Sequence, residues 1–187
     1  MQERLLIVQY KLVYLRSREV NDMKFLNQDC DLTLQQGLNE LYENNPQVAA
    51  VSLARGKLFT DHDLTHVIFG YDTSLDGEIG LKPWILLGCN ITMAELKAYA
   101  ADPEIERLRE EGIEMMGGVF MGTLKYVFQY LPEFVWTWLT RVRRMSKQWP
   151  HSAVTGEMLE TKLCDLRREY NIRLVPKKGN TKEPLEA

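Results

Sequence analysis

The sequence predicts an all-α protein folded as a single domain. Apolar residues follow helical spacing at Leu32, Leu34, Leu38, Leu41 and Tyr42, and again at Met158, Leu159, Leu163, Leu166 and Tyr170. Thr92-Met93-Ala94-Glu95 has the residue types of a capping box, in which threonine and glutamate side chains accept from each other's backbone N–H. Asp102-Pro103-Glu104 combines a cap, a proline at the first helical position and an acid in the first turn. At 187 residues the chain is long enough to bury one substantial core. We expect residues 1–172 to form that helical domain. Residues 173–187, dense in Lys, Gly, Asn, Thr and Pro, should form a loosely ordered tail.

Taken in order, Arg4 to Arg18 is rich in Leu, Ile, Val and Tyr and suits a helix or a long strand. Met1 to Leu15 is apolar enough for a signal peptide, but Glu3, Lys11 and the lack of a small-residue cleavage site argue for a helix of the mature protein. The Leu32–Tyr42 element should stop at Asn44-Asn45-Pro46. A short helix over Val48–Leu58 follows, with Gly56 near its end. Thr60 or Asp61 can cap the next helix, which should run through Ile68 and stop at Gly70. Another should open around Ser74 to Asp76 and continue to Leu87, with Pro83 kinking it or falling in a first turn. The helix opened at Pro103 is expected to reach Tyr130, and one starting at Pro132 to end near Lys147. A last amphipathic helix should carry Met158 through Tyr170.

Composition removes several classes. With 23 basic and 26 acidic residues the formal charge is −3, which gives no global field for nucleic acid. Cys30, Cys89 and Cys164 are scattered and odd in number, so neither a disulfide framework nor a zinc–cysteine site is expected, and a reducing compartment fits. The greasiest region, Met115 to Leu139, is cut by Lys125, Pro132 and Glu133 and falls short of a membrane span.

The chemistry concentrates at His62-Asp63-Leu64-Thr65-His66, followed after eleven residues by Glu78. Two of the three histidines in the chain stand there, four positions apart, which on a helix stacks both imidazoles on one face. Asp63 leaves the same turn and is either a further ligand or a group that orients an imidazole. Glu78 would arrive from the next element, after a turn through Gly70, Asp72, Ser74, Asp76 and Gly77. Nitrogen and carboxylate donors of this kind suit one divalent metal, zinc first, with magnesium, manganese, iron or cobalt as options. A bare pair of surface histidines is the plain alternative. Neighbouring signatures fit less well. Zinc proteases need Glu where Asp63 stands, His-Asp phosphohydrolases need a histidine upstream of His62, and di-iron carboxylate bundles need two Glu-x-x-His units.

His-Asp-x-x-His, eleven residues and Glu resembles the signature of the coenzyme Q biosynthesis protein 4 family. Gly77-Glu78-Ile79, Lys82 and Trp84 are also similar to that family, as is Leu166-Arg167-Arg168-Glu169-Tyr170-Asn171-Ile172, so the resemblance covers roughly residues 50 to 172. It implies a role in ubiquinone biosynthesis on a polyprenylated aromatic precursor, at a membrane surface and with other quinone-biosynthesis proteins. The implied reaction is oxidative removal of the ring carboxyl group, with His62, His66 and Glu78 holding the metal and Asp63 completing or orienting the set. Mitochondrial members carry a targeting leader and this chain shows none. That favours a cytoplasmic form, peripheral to the inner face of the membrane.

The stretch from Met115 to Trp138 is rich in Met and aromatic residues and carries Gly117, Gly118 and Gly122. Such a helix is either ordinary core or one wall of a lipid-binding channel, where glycines permit close approach and methionines repack around a flexible ligand. On the second reading Met116, Gly118, Phe120, Met121, Gly122, Leu124, Val127 and Phe128 would take a polyprenyl tail. Arg141, Arg143, Arg144 and Lys147 follow, between Trp138 and Trp149. They are either a solvated helix end or a contact for anionic headgroups or phosphate. The expected partners are thus an isoprenoid lipid, a membrane surface and other pathway proteins, with a homodimer left open and no nucleic acid. The rival reading is a non-catalytic isoprenoid or polyprenyl-phosphate carrier or scaffold. His151 has no assigned role.

Overall fold

The computed structural model describes residues 23–176, which are mostly helical and contain no strand. The element expected over Arg4–Arg18 lies outside them, as do residues 177–187 of the tail. Helix α1 (Leu34–Asn44) opens with a capping box: Gln36 N–H donates to the Thr33 hydroxyl at 3.1 Å, and Thr33 N–H to the Gln36 side chain at 2.9 Å. Helix α2 (Pro46–Arg55) has its proline in the first turn. Gly56, at φ 82°, ends α2 and starts α3 (Lys57–Phe69), so the motif helix begins earlier than a Thr60 or Asp61 cap would allow. Glycine alone reverses the chain at such a φ without a steric penalty. α3 stops as expected at Gly70, which is left-handed at φ 69°.

Ser74 caps α4 (Leu75–Pro83), accepting from Gly77 N–H at 3.1 Å. Instead of running on as α-helix to Leu87, the chain becomes a π-helical turn over Trp84–Gly88. Pro83 has no N–H for the α ladder, and the wider turn accommodates that loss. Helix α5 (Met93–Ala100) carries the expected capping box, with Glu95 N–H donating to the Thr92 hydroxyl at 3.2 Å and Thr92 N–H donating back to the Glu95 carboxylate at 2.7 Å. The long helix expected from Pro103 to Tyr130 is broken. α6 (Pro103–Met115) ends before Gly117 at φ 95°, and α7 (Gly118–Lys125) passes into a second π-helical turn, Tyr126–Tyr130. Gly118 is itself at φ 87° and a Cβ there would meet nothing within 4 Å, so it serves backbone reversal rather than close approach. Helix α8 (Leu131–Thr140) ends short of Lys147 and a 3-10 turn, Val142–Arg144, follows.

The expected last helix is two pieces, α9 (Gly156–Glu160) and α10 (Leu163–Glu169). Between them the chain extends to pair with the segment before α1. Thr33 and Lys162 form an antiparallel bridge, and Leu163 N–H donates to the Leu32 carbonyl at 2.8 Å. The packed chain runs on past Ile172: Leu174 rests against the core and its N–H donates to the Gln28 side chain at 2.8 Å.

α3 is the central element. Every residue from Asp61 to Phe69 is buried, with α1, α2, α4, α5 and α10 packed around it. A Cβ on Gly37 would lie 2.5 Å from Val67 Cγ1, so α1 crosses α3 where a side chain is missing. Phe69 stacks on Trp84 with centroids 4.7 Å apart. Arg167 of α10 is fully buried. It donates to the Val67 and Ile68 carbonyls at 2.8 and 3.0 Å, and to Phe25 and Asn27 at 2.6 and 2.5 Å. Carbonyls that the end of α3 leaves without helical partners are satisfied in this way.

Candidate metal centre

A helical stretch buried on every side must satisfy each polar side chain it carries, and residues 61–69 of α3 hold four ionisable ones. Asp61 receives the Lys57 ammonium at 2.8 and 2.6 Å, one turn away. Asp63 Oδ2 accepts the Tyr42 hydroxyl at 2.9 Å and, in a shorter contact, the Ser52 hydroxyl. His62 and His66 turn to a third side, where α4 brings Glu78. Their Nε2 atoms are 3.2 Å apart, and the Glu78 carboxylate oxygens lie 3.1 Å from His66 and 3.6 Å from His62.

The loop between the helices fixes that approach. Asp72 Oδ1 accepts from Ser74 N–H at 3.0 Å and also from its hydroxyl, while Ser74 caps α4. A Cβ on Gly77 would stand 2.1 Å from the Asp72 carbonyl oxygen, so only glycine lets α4 begin this close to the turn. Tyr99 of α5 stacks on the His62 ring with centroids 4.8 Å apart. His66 is fully buried, whereas the Glu78 side chain is 42% exposed, which leaves one side of the group open to solvent.

His62, His66 and Glu78 each offer one ligand atom within 4.8 Å of the others. A tetrahedral zinc site with arms of about 2.0–2.1 Å has ligand–ligand edges of about 3.3–3.4 Å, and cis edges of an octahedral site are about 3.0 Å. The 3.2 Å between the imidazole nitrogens and the 3.1 Å from His66 to Glu78 Oε1 lie in that range, and the 3.6 Å from His62 to the other carboxylate oxygen is a little longer. Two nitrogens, one oxygen and an open side therefore suit a divalent ion with positions left for water or ligand.

Asp63 stands outside the group. Its Oδ2 accepts from Tyr42 of α1 and Ser52 of α2 rather than from an imidazole, so it supports the helix instead of orienting a ring directly. Burial pushes its pKa up against the opposing pull of Ser52 and the imidazoles. Burial also pushes the Tyr42 hydroxyl to about 12. In the metal-free state burial works to raise the Glu78 pKa, but the neighbouring imidazoles prevail and hold it well below the usual carboxylate range. Burial likewise depresses His66, and the Glu78 carboxylate overcomes it, leaving a net upward shift.

The expected lipid residues fall on α7 and the π-helical turn after it, with Met116 in the turn before α7. Phe120 and Phe128 are 75% and 76% exposed, Met121, Leu124 and Val127 are also exposed, and Gly118 and Met116 are partly covered. Gly122 is buried beside Met116. Together they form an apolar face open to the surroundings. Arg141 and Arg143 lie over the Trp136 and Trp138 rings at 5.7 and 5.8 Å. Arg144 is exposed, and Lys147 pairs with Glu169 at 2.5 Å. His151 is buried, with Nδ1 3.3 Å from the Ser152 hydroxyl; burial pushes its pKa down. Sequence spacing did not reveal Tyr42, Ser52 or Tyr99, because each comes from a separate helix and meets α3 only in the folded chain.

Comparison with protein-family models, curated proteins and solved structures finds no match. No helix among the described residues is long and apolar enough to cross a membrane.

Proposed function

We propose that this chain binds one divalent metal through His62, His66 and Glu78 and acts on a polyprenylated aromatic acid, as the coenzyme Q biosynthesis protein 4 family does. The observation that carries this reading is the convergence of those three ligand atoms within 4.8 Å. A metal held there would act as a Lewis acid on a carboxylate or phenolate. His62 and His66 would present imidazole nitrogens to it from a buried helix. Asp63 holds that helix in register through Tyr42 and Ser52, and the exposed side of Glu78 leaves the approach for substrate. The apolar face of α7 would take the isoprenoid tail. On this reading the ring carboxyl group would leave as CO2 with oxidation at that carbon by an external two-electron oxidant, and the protein would work at a membrane surface among other quinone-biosynthesis proteins.

A second reading is a non-catalytic isoprenoid carrier or scaffold. Its support is the exposure of Phe120 and Phe128, which suits docking against lipid as well as it suits a substrate tail. One experiment addresses both. Native mass spectrometry with metal analysis on wild type and His66→Ala should give one metal and a co-purifying prenyl lipid in the wild type, with metal lost in the variant. A decarboxylation assay on a prenylated hydroxybenzoate then separates enzyme from carrier. Metal-free wild type, indifferent to the substitution, would overturn the metal-centred reading.

A further inference from the structure

One cation near the candidate centre has no role so far. Lys82 is exposed and stands four residues beyond Glu78 on α4, on the same side of the helix and about 6 Å further along its axis. Among the described residues no carboxylate pairs with it. Its ammonium instead lies over the Tyr126 ring, 5.9 Å from the centroid. Tyr126 opens the π-helical turn in the apolar face, and Tyr130 at the other end of that turn donates to Asp76 Oδ1 of α4 at 3.0 Å. α4 therefore lies between the metal helix and the apolar face. Its Glu78 is directed to the one and its Asp76 to the other, while Lys82, on the Glu78 side of α4, reaches the Tyr126 ring at the edge of the apolar face.

A carboxylate of the candidate metal group and an ammonium one turn apart on α4, with exposed apolar rings beside them, would together suit an oxyanion at the head of an apolar chain. We propose that Lys82 binds the anionic head of the amphiphilic ligand, a carboxylate or a phosphate, while the tail lies along Tyr126, Val127 and Phe128. An ammonium over an aromatic face has part of its water removed but no counter-charge, so a ligand oxyanion gains a charge-assisted hydrogen bond without displacing a protein carboxylate. Lys82 thereby sets specificity for acids over neutral prenyl phenols. This inference rests on the metal-and-lipid reading above and adds the determinant of head-group charge.

The test is ligand binding by calorimetry to the zinc-loaded protein, comparing wild type, Lys82→Met, Lys82→Arg and, as a control for bulk charge, Lys97→Met. The probes are a prenylated hydroxybenzoic acid, the corresponding phenol without its carboxyl group, and dodecyl phosphate below its micelle concentration. Lys82→Met should weaken binding of the acid, the phosphate or both by about tenfold. The phenol should be unaffected, metal content unchanged, and Lys82→Arg close to wild type. Which anion responds identifies the head group. Equal losses in Lys82→Met and Lys97→Met, or a Lys82→Met that binds both anions as wild type does, overturn the proposal while leaving the metal site standing. A wild type that takes up neither zinc nor any probe overturns the function proposed above and this inference with it.

Discussion

Arg167 donates from Nη2 to the Val67 carbonyl at 2.8 Å, immediately after the turn of α3 that carries His66. The same guanidinium reaches Ile68, Phe25 and Asn27, so one side chain joins the end of the metal helix to the chain on either flank. Arg167→Met keeps most of the apolar stem and removes every donor. Buried carbonyls left without donors cost about 1–3 kcal/mol each, and less when summed. Urea unfolding should show a loss of more than about 3 kcal/mol, larger than most single substitutions give. A loss under about 1 kcal/mol would mean that the carbonyls find other donors.

The donor set predicts its own stoichiometry. Zinc added to metal-free protein should bind one equivalent and raise the unfolding free energy by about 2.7 kcal/mol when free zinc is one hundred times Kd. Chelation should reverse this, and His66→Ala should abolish it. More than one tight equivalent, or stabilisation that survives in His66→Ala, would move the site elsewhere.

Stability should depend on pH with opposite signs in the two states. In the metal-free protein the raised His66 pKa contributes stability that is complete below its ordinary value of 6.5 and is lost as pH rises through the folded value. The lowered Glu78 pKa contributes stability present above its ordinary 4.5 and lost as pH falls towards the folded value. Metal-free protein should therefore be most stable between those limits and weaken on the alkaline side. Solvent at the half-exposed Glu78 side chain screens the pair, so the amplitude should be small. Zinc needs the imidazoles neutral, so its stabilisation should grow over the same alkaline rise. Thermal melts across pH 5 to about 8, with and without zinc, compare the two slopes directly.

Asp63 touches the group only through the helix it holds. Asp63→Ala frees the Tyr42 and Ser52 hydroxyls and should destabilise by about 2–4 kcal/mol. Zinc should still bind at one equivalent, weakened by about 10–100-fold as for loss of a supporting residue. Complete loss of binding in a folded variant would make Asp63 a direct ligand.

Gly77 tests the loop in the same assay. A Cβ there would overlap the Asp72 carbonyl, so Gly77→Ala has to shift the start of α4 and with it Glu78. Zinc affinity should fall at least tenfold while most of the fold, measured by far-ultraviolet circular dichroism, persists. Unchanged affinity would show that the turn relaxes without moving Glu78.

The parts legible in the sequence were those set by neighbours along the chain. The Thr92–Glu95 capping box, the stop at Gly70 and the Ser74 start of α4 follow from local hydrogen bonding, and the histidine spacing follows from helical periodicity. Positions whose role depends on distant chain were not legible. Gly56 read as lying near the end of a helix and Gly117 as a close-approach glycine inside one, until their positive φ values place them between helices. Thr161 and Lys162 read as helix until Thr33 pairs with Lys162. Asp63 sits inside a ligand-like motif, yet its partners lie eleven and twenty-one residues upstream on two other helices. The apolar stretch after Met115 satisfied a buried helix and a lipid-facing one equally, because periodicity reports an apolar face and not what covers it.

The Arg167 clamp also orders events during synthesis. The carbonyls it satisfies on α3 are 99 and 100 residues upstream, and the one on Phe25 is 142 residues upstream. While the chain emerges from the ribosome, the histidine helix and Glu78 are made long before the residue that completes the end of that helix. If the group holds metal as proposed, metal offered early would meet a histidine pair whose helix end is not yet completed, and the three-donor geometry would be fixed only when α10 docks. Zinc uptake during translation should therefore be a late step, gated by release of the last helix rather than by appearance of the ligands.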